Sequence, residues 1–242
     1  MSLALGVIPA RYAATRFPGK PLASLWGKPL VQHVWERARD IAGLDQLVIA
    51  TDDERIERVA RGFGAEVERT SHGCASGTDR VAEVARRRAG FQWIVNLQGD
   101  EPELDAGAVA RLLAAMRADR TLRMGTLAHR EVDPAALASE HVVKVVVDDA
   151  GFALYFTRRP PTAGERALRH IGVYAFTHDT LLAFASWPPT DDERRERLEQ
   201  LRALAHGVRI RVVETAGAWT GVDTPEQLAA LEARGPLGIR GA

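Results

Sequence analysis

The 242-residue sequence predicts an α/β fold in three layers, a mostly parallel twisted sheet covered by helices, with a smaller α+β lobe in its second half. Three observations carry this expectation. Short apolar runs alternate with helical patterns through the first half. A hairpin signal, Asp148-Asp149-Ala150-Gly151, breaks the alternation in the second half. Loops rich in Gly, Pro and charge follow the apolar runs, where parallel sheets carry their ligands.

Leu3–Pro9 is a continuous apolar run of strand length, as in a strand buried on both faces. Pro29–Ile41 spaces Leu30, Val31, Val34, Trp35, Ala38 and Ile41 as one helical face, with Pro at the start, where its missing N–H is tolerated. Gln46–Ala50 follows as a strand, Asp53–Gly62 as a helix, Ala65–Arg69 as a short strand and Thr78–Arg88 as a helix. Trp93–Leu97 is a further buried strand and Asp105–Arg117 a helix. After Met124 the pattern changes: Val142–Val147 and Phe152–Phe156 flank the hairpin turn, and Arg169–Thr177 is another strand. Asp191–Ala205 has the spacing of one charged amphipathic helix, Val208–Val213 of a strand and Thr224–Ala233 of a final helix. No repeat, low-complexity tract or linker divides the chain, so residues 1–242 are expected to form one domain.

Lys plus Arg number 32 and Asp plus Glu number 32, so the net charge is zero. Nucleic-acid or membrane-surface binding through bulk charge is therefore not expected, although a locally basic pocket stays open. Cys74 is the only cysteine, which excludes an intramolecular disulfide and a Cys-based zinc site. An apolar strand directly after Met1 and the absence of a membrane-length apolar run point to a cytoplasmic protein.

Four loops stand out. "ARYAATRFPGKP" puts Arg11, Arg16 and Lys20 on a stiff turn, suited to the charged oxygens of a triphosphate. The residues alone leave that reading and a solvated basic loop equally open. The loop has neither the Gly-Lys-Ser/Thr ending of a P-loop nor a dinucleotide fingerprint. "SGTDR", Ser76–Arg80, reads as a helix start with Ser76 or Thr78 as cap, and a helix start can also present N–H groups to a ligand. In "QGDEP", Asp100 ends an apolar strand, and a carboxylate there suits magnesium. In "TGVDTPE", Asp223 alone reads as an N-cap, with Thr224 competing; with Asp100 on a separate loop, the two aspartates point to a cation instead. Lys144 interrupts an apolar run and either faces a site or snorkels at a sheet edge.

These segments, with "VVKVVVDDAGFALYFTR", "RHIGVYAF" and "LEQLR", occur in the order seen in CMP-Kdo synthetases, the 3-deoxy-manno-octulosonate cytidylyltransferases, which the chain resembles from Val7 to about Leu231. The resemblance implies the nucleotide-diphospho-sugar transferase fold, Rossmann-like in layout. It implies a CTP-binding half over 1–123, a sugar-binding and dimerisation lobe over 124–215, and a metal-ligand loop with the C-terminal helix over 216–242. It further implies Mg2+ held by Asp100 and Asp223, with Arg11, Arg16 and Lys20 neutralising the triphosphate. Ala10, Arg11, Lys20, Ser76, Gly77 and Gln98 would surround the nucleotide. Gln98, Arg158, His170, Tyr174, Glu199 and Gln200 would surround the sugar, Arg158 matching its carboxylate. A homodimer is the implied assembly. Without the resemblance, Glu199 and Gln200 read as exposed positions on a charged helix.

Two departures from the resembling pattern stand out, the first on the acceptor side and the second, at Cys74, on the cytosine side. Only Arg159–Leu168 separates "ALYFTR" from "RHIGVY", where the resembling proteins carry a longer stretch, so another acidic sugar, such as 8-amino-Kdo or a nonulosonic acid, is the alternative substrate. Cys74 stands where His is common. A nucleotide-binding relative without catalysis is the reading from a different class, and the retained aspartate pair argues against it.

Overall fold

The computed structural model describes residues 2–13, 16–131, 133–162, 164–219 and 221–236. Thr220, the first residue of "TGVDTPE", lies outside the described residues. The first half runs β1 (Leu3–Ala10), a 3-10 turn (Lys20–Leu22), β2 (Ser24–Leu25), β3 (Lys28–Pro29), α1 (Leu30–Ala38), β4 (Gln46–Thr51), α2 (Glu54–Gly62), β5 (Glu66–Arg69), α3 (Gly77–Arg87) and β6 (Phe91–Asn96). Then follow α4 (Ala106–Ala118), β7 (Met124–His129), α5 (Pro134–Ala138), β8 (Lys144–Val147), β9 (Ala153–Thr157), β10 (Ala167–Thr177), α6 (His178–Ser186), α7 (Asp191–Glu196), α8 (Gln200–Ala205), β11 (Ile210–Thr215) and α9 (Pro225–Arg234). The chain divides into two compact units, Met1–Phe91 with Asn96–Ala106 and Trp219–Ala242, and Gln92–Val95 with Gly107–Ala218.

In the first unit β1 pairs in parallel with β4, and β4 in parallel with β5. Ala4, Leu5, Val7 and Ile8 are all fully buried, so both faces of β1 are covered, as the uninterrupted apolar run requires. Helices α1 and α3 pack on β1, and α2 on β4 and β5. Helix starts follow the side chains: Asp53 caps α2, and Ser76 and Asp79 form a reciprocal capping box on α3. Thr224, not Asp223, caps α9, its hydroxyl accepting from the Gln227 N–H at 3.3 Å, which settles that competition and leaves the Asp223 carboxylate available.

In the second unit β7 pairs with β10 antiparallel and with β11 in parallel, while β8 pairs antiparallel with β10 and β9. The hairpin forms as its turn residues predict, with Gly151 at φ +78° and its N–H donating to the Asp148 carbonyl at 3.0 Å. Strands β2, β3 and β7 and helices α5 and α6 have no counterpart in the sequence reading. β7 lacks alternation because almost all of it is buried. A Cβ at Gly125 on that strand would meet Met116 Sδ at 2.7 Å and Leu112 Cδ1 at 2.9 Å, so glycine is what lets α4 lie on the strand.

One expected element is corrected. Asp191–Ala205 is not a single helix: Arg197 adopts a left-handed conformation at φ +56°, ending α7, and α8 begins three residues later. The break turns Leu198 and Gln200 inward, and the buried Arg202 spans it, donating to both Glu193 carboxylate oxygens and to the Trp187 carbonyl. Lys144 also departs from both of its readings. It is fully buried, with its ammonium donating to the carbonyls of Ser139 at 2.9 Å, Val142 at 2.8 Å and Arg158 at 2.5 Å. An ammonium has three protons, so this cage satisfies it completely. Burial, and then the nearby Arg158 charge, lower its pKa.

Candidate active site

The first unit carries a cleft of about 260 Å³ to which all four polar loops contribute. Arg11, Arg16 and Lys20 enter from the opening loop, Ser76 and Gly77 from the start of α3, Gln98 to Asp100 from the loop after β6, and Asp223 from the loop before α9.

The opening loop folds around Gly19, which sits at φ +74° and donates its N–H to the Tyr12 carbonyl at 2.8 Å. A side chain there would be strained by its backbone and would sit 3.1 Å from the Tyr12 ring. The turn delivers Lys20 into the cleft, its side chain only 14% exposed. Lys20 Nζ lies 2.6 Å from Asp100 Oδ2 and 3.2 Å from Asp223 Oδ1, and Arg16 Nη2 lies 3.1 Å from Asp223 Oδ2. Arg11 is exposed at the rim, and Ala10 ends β1 beneath it.

Two backbone features seat Asp100. A Cβ on Gly99 would fall 2.6 Å from the Pro9 carbonyl oxygen, so only glycine allows that loop to press on the end of β1. The Asp100 carbonyl accepts from the Val222 N–H at 2.8 Å, which ties the loop of one aspartate to the loop of the other. A second tie runs beside it: the Trp219 indole N–H donates to Glu101 Oε2 at 2.8 Å, both residues being 8% exposed. Burial, with the Asp100 charge next to it, pushes the Glu101 carboxyl up to about 8.

The donor set fits a hard cation. Both carboxylates touch one ammonium, so their oxygens converge within reach of a single positive centre, and Lys20 Nζ serves as the stand-in cation. Among the described residues no cluster of three or more His, Cys, Asp or Glu exists, so a metal here would take its remaining ligands from phosphate and water. Ahead of α3, His72 Nδ1 lies 3.2 Å from Asp52 Oδ2, and the Cys74 thiol donates to Glu83 Oε2 at 3.1 Å. Arg80, which the sequence reading left without a role, is a buried wall of the cleft. It is held by Asp52 at 3.1 Å and by the Thr70 hydroxyl, and its signal was the charge at the end of "SGTDR".

The remaining expected residues belong to the second unit. Arg158 follows β9 and points its guanidinium to the backbone, Nε to the Glu196 carbonyl at 3.3 Å and Nη1 to that of Glu140 at 3.4 Å. His170 and Tyr174 share one side of β10, their ring centroids 5.6 Å apart, and Phe156 meets His170 edge-on at 5.0 Å. Burial alone pushes the His170 imidazole down to about 3, so it is neutral at ordinary pH. Glu199 flanks the start of α8, half-buried, and Gln200 is 3% exposed, against the expectation of a solvated face. Within Arg159–Leu168, the Glu165 N–H donates to the Thr162 carbonyl at 3.1 Å.

The chain matches known proteins over most of its length. A cytidylyltransferase family model matches residues 5–210. A 3-deoxy-manno-octulosonate cytidylyltransferase of Geobacter sulfurreducens is 48% identical over 238 residues, covering 92% of this chain and 95% of the relative. One from Anaeromyxobacter sp. Fw109-5 is 49% identical over 240 residues, with 95% and 97% covered. A solved structure of CMP:2-keto-3-deoxy-manno-octonic acid synthetase complexed with CTP superposes with a TM-score of 0.92 at 42% identity, covering 96% of this chain and 98% of that one. Identity at this level over nearly the full length, together with two aspartates and two cations in one cleft, means that the chain belongs to the 3-deoxy-manno-octulosonate cytidylyltransferase family of nucleotidyltransferases.

Proposed function

We propose that the protein joins the cytidylyl group of CTP to the anomeric hydroxyl of Kdo, releasing pyrophosphate. The observation that carries this reading is the convergence of Lys20 and Arg16 on Asp100 and Asp223 in a cleft of the first unit. A triphosphate entering there exchanges places with the aspartates as partner of the two cations. Arg11, Arg16 and Lys20 then offset the charge of the triphosphate and of the leaving pyrophosphate. Asp100 and Asp223 would hold Mg2+, which when bound polarises the α-phosphate and lowers the pKa of the attacking hydroxyl. Ala10, Ser76, Gly77 and Gln98 line the nucleotide pocket.

For the acidic sugar, Arg158 takes the carboxylate, His170, Tyr174, Glu199 and Gln200 take hydroxyls, and Gln98 is assigned to both substrates. The hydroxyl oxygen forms the new bond to the α-phosphorus as the bond to the pyrophosphate oxygen breaks. Placing the two reactants in line is the main work of the protein. We assign the CTP-binding, sugar-binding and metal-ligand regions to 1–123, 124–215 and 216–242, and we propose a cytoplasmic homodimer supplying CMP-Kdo to lipopolysaccharide synthesis. No helix among the described residues is long and apolar enough to cross a membrane.

Pyrophosphate release with CTP, Mg2+ and a panel of acidic sugars tests the reading. Turnover with Kdo is expected. Turnover only with 8-amino-Kdo or a nonulosonic acid would move the assignment to that sugar, and CTP binding without turnover on any sugar would reduce the protein to a nucleotide-binding relative. Asp100→Asn should abolish turnover while the far-UV circular dichroism is unchanged.

A further inference from the structure

His170 and Thr126 meet where β10 departs from regular pairing. Leu127 on β7 pairs with Ile171, but its neighbour Thr126 pairs with Tyr174, so β10 holds two extra residues, Gly172 and Val173. Bulges of this kind re-aim side chains, often next to active sites. Here the bulge presents several polar atoms to one hydroxyl. Thr126 Oγ1 lies 2.8 Å from the Val173 carbonyl oxygen, 3.2 Å from that of Ile171 and 2.9 Å from His170 Nε2. Thr126 is fully buried, so no solvent competes.

Proton counting decides the arrangement. A hydroxyl has one proton, and a backbone carbonyl can only accept. The Thr126 proton therefore belongs to the carbonyls, Val173 first. Were Nε2 the bare nitrogen of His170, one proton would have to serve three acceptors, leaving lone pairs facing each other within about 3.2 Å in a dry interior. The geometry closes only if Nε2–H donates to Oγ1.

We propose that Thr126 is a positioning residue that locks His170 in the neutral Nε2–H tautomer, leaving Nδ1 as a fixed hydrogen-bond acceptor for a hydroxyl of the acidic sugar. The sugar half of this proposal rests on the functional reading above. The division of labour is chemical: the Arg158 guanidinium is donor-only and suits a carboxylate, whereas a polyol also needs acceptors. An imidazole free to change tautomer would spend part of its time offering N–H to N–H or lone pair to lone pair. Phe156 and Tyr174, packed on the ring, hold its plane.

The test uses the full-length protein labelled with 15N-histidine. Wild type should show His170 protonated at Nε2 and bare at Nδ1. Thr126→Val, close in shape but without the hydroxyl, should lose that signature and raise the KM for Kdo roughly tenfold with the KM for CTP unchanged. Thr126→Ser should restore both. A wild-type Nδ1–H tautomer, or a folded Thr126→Val with unaltered sugar KM, overturns the proposal. If Thr126→Val does not fold, the wild-type spectrum still decides the tautomer. A wild type that turns over no acidic sugar overturns the functional reading, and the sugar half of this proposal with it.

Discussion

Lys20 Nζ lies 2.6 Å from Asp100 Oδ2, and the same ammonium reaches Asp223 at 3.2 Å. The two cations and the two carboxylates of the cleft therefore neutralise one another, and in the proposed reaction phosphate and metal would replace these pairings. Lys20→Met should leave the aspartates facing each other with less compensation. Binding of Mn2+ without nucleotide, followed by electron paramagnetic resonance, should tighten about tenfold, while CTP affinity by calorimetry should weaken by about 10–100-fold. Unaltered Mn2+ affinity would sink this account of the free site.

The Trp219–Glu101 bond runs parallel to the backbone tie between the Asp100 and Asp223 loops. Trp219→Phe keeps the ring but removes the donor. The Mn2+ concentration at half-maximal binding should rise by about tenfold, as for other groups that orient ligands from behind. Glu101→Gln keeps an acceptor for the indole and should stay near wild type; if both variants shift equally, the bond is not what seats Asp100.

Gly99→Ala pushes a methyl to 2.6 Å from the Pro9 carbonyl oxygen, a backbone atom that cannot swing away. A loss of about 1–3 kcal/mol in urea unfolding is expected, with turnover falling more than tenfold as Gln98 and Asp100 shift. Gly62→Ala, with nothing within 4 Å, is the control and should be neutral or slightly stabilising.

The low pKa of His170 carries a pH signature. The imidazole titrates near 6.5 in the unfolded chain and near 3 in the fold. Between those values the unfolded chain binds a proton that the folded protein does not. The His170 contribution is thus fully present above pH 6.5 and is lost as pH falls toward 3. From pH 7 to pH 5 the loss should be about 1–2 kcal/mol, and His170→Gln should flatten the stability profile over that window. An equally steep profile in the variant would show that other groups carry the acid lability.

Much of this was legible in the residues. The apolar run Leu3–Pro9, buried from Ala4 to Ile8, the periodic face of Pro29–Ile41 and the turn at Gly151 each express local chemistry that tertiary packing reinforces. The loop residues of the cleft were legible because Gly, Pro and charge cluster after strands. What escaped is long-range. Nothing in "DDERRERLEQLR" announces that Arg202 reaches back to Glu193 and splits the helix. Lys144 looked like an intruder among valines, since its three acceptors are backbone carbonyls and leave no trace in residue identity. The β10 bulge is equally silent, set by pairing to Thr126, some forty-five positions away.

Cys74 has a practical consequence. Burial and the Glu83 carboxylate raise its thiol to about 11, so at neutral pH it is almost never a thiolate, the nucleophilic form that attacks alkylating reagents and disulfides. The native chain is therefore expected to react slowly with maleimides at neutral pH. A cysteine introduced on the exposed face of α7, for example at Asp192, would be the one fast-reacting thiol, and fluorophores could be attached there without first removing Cys74.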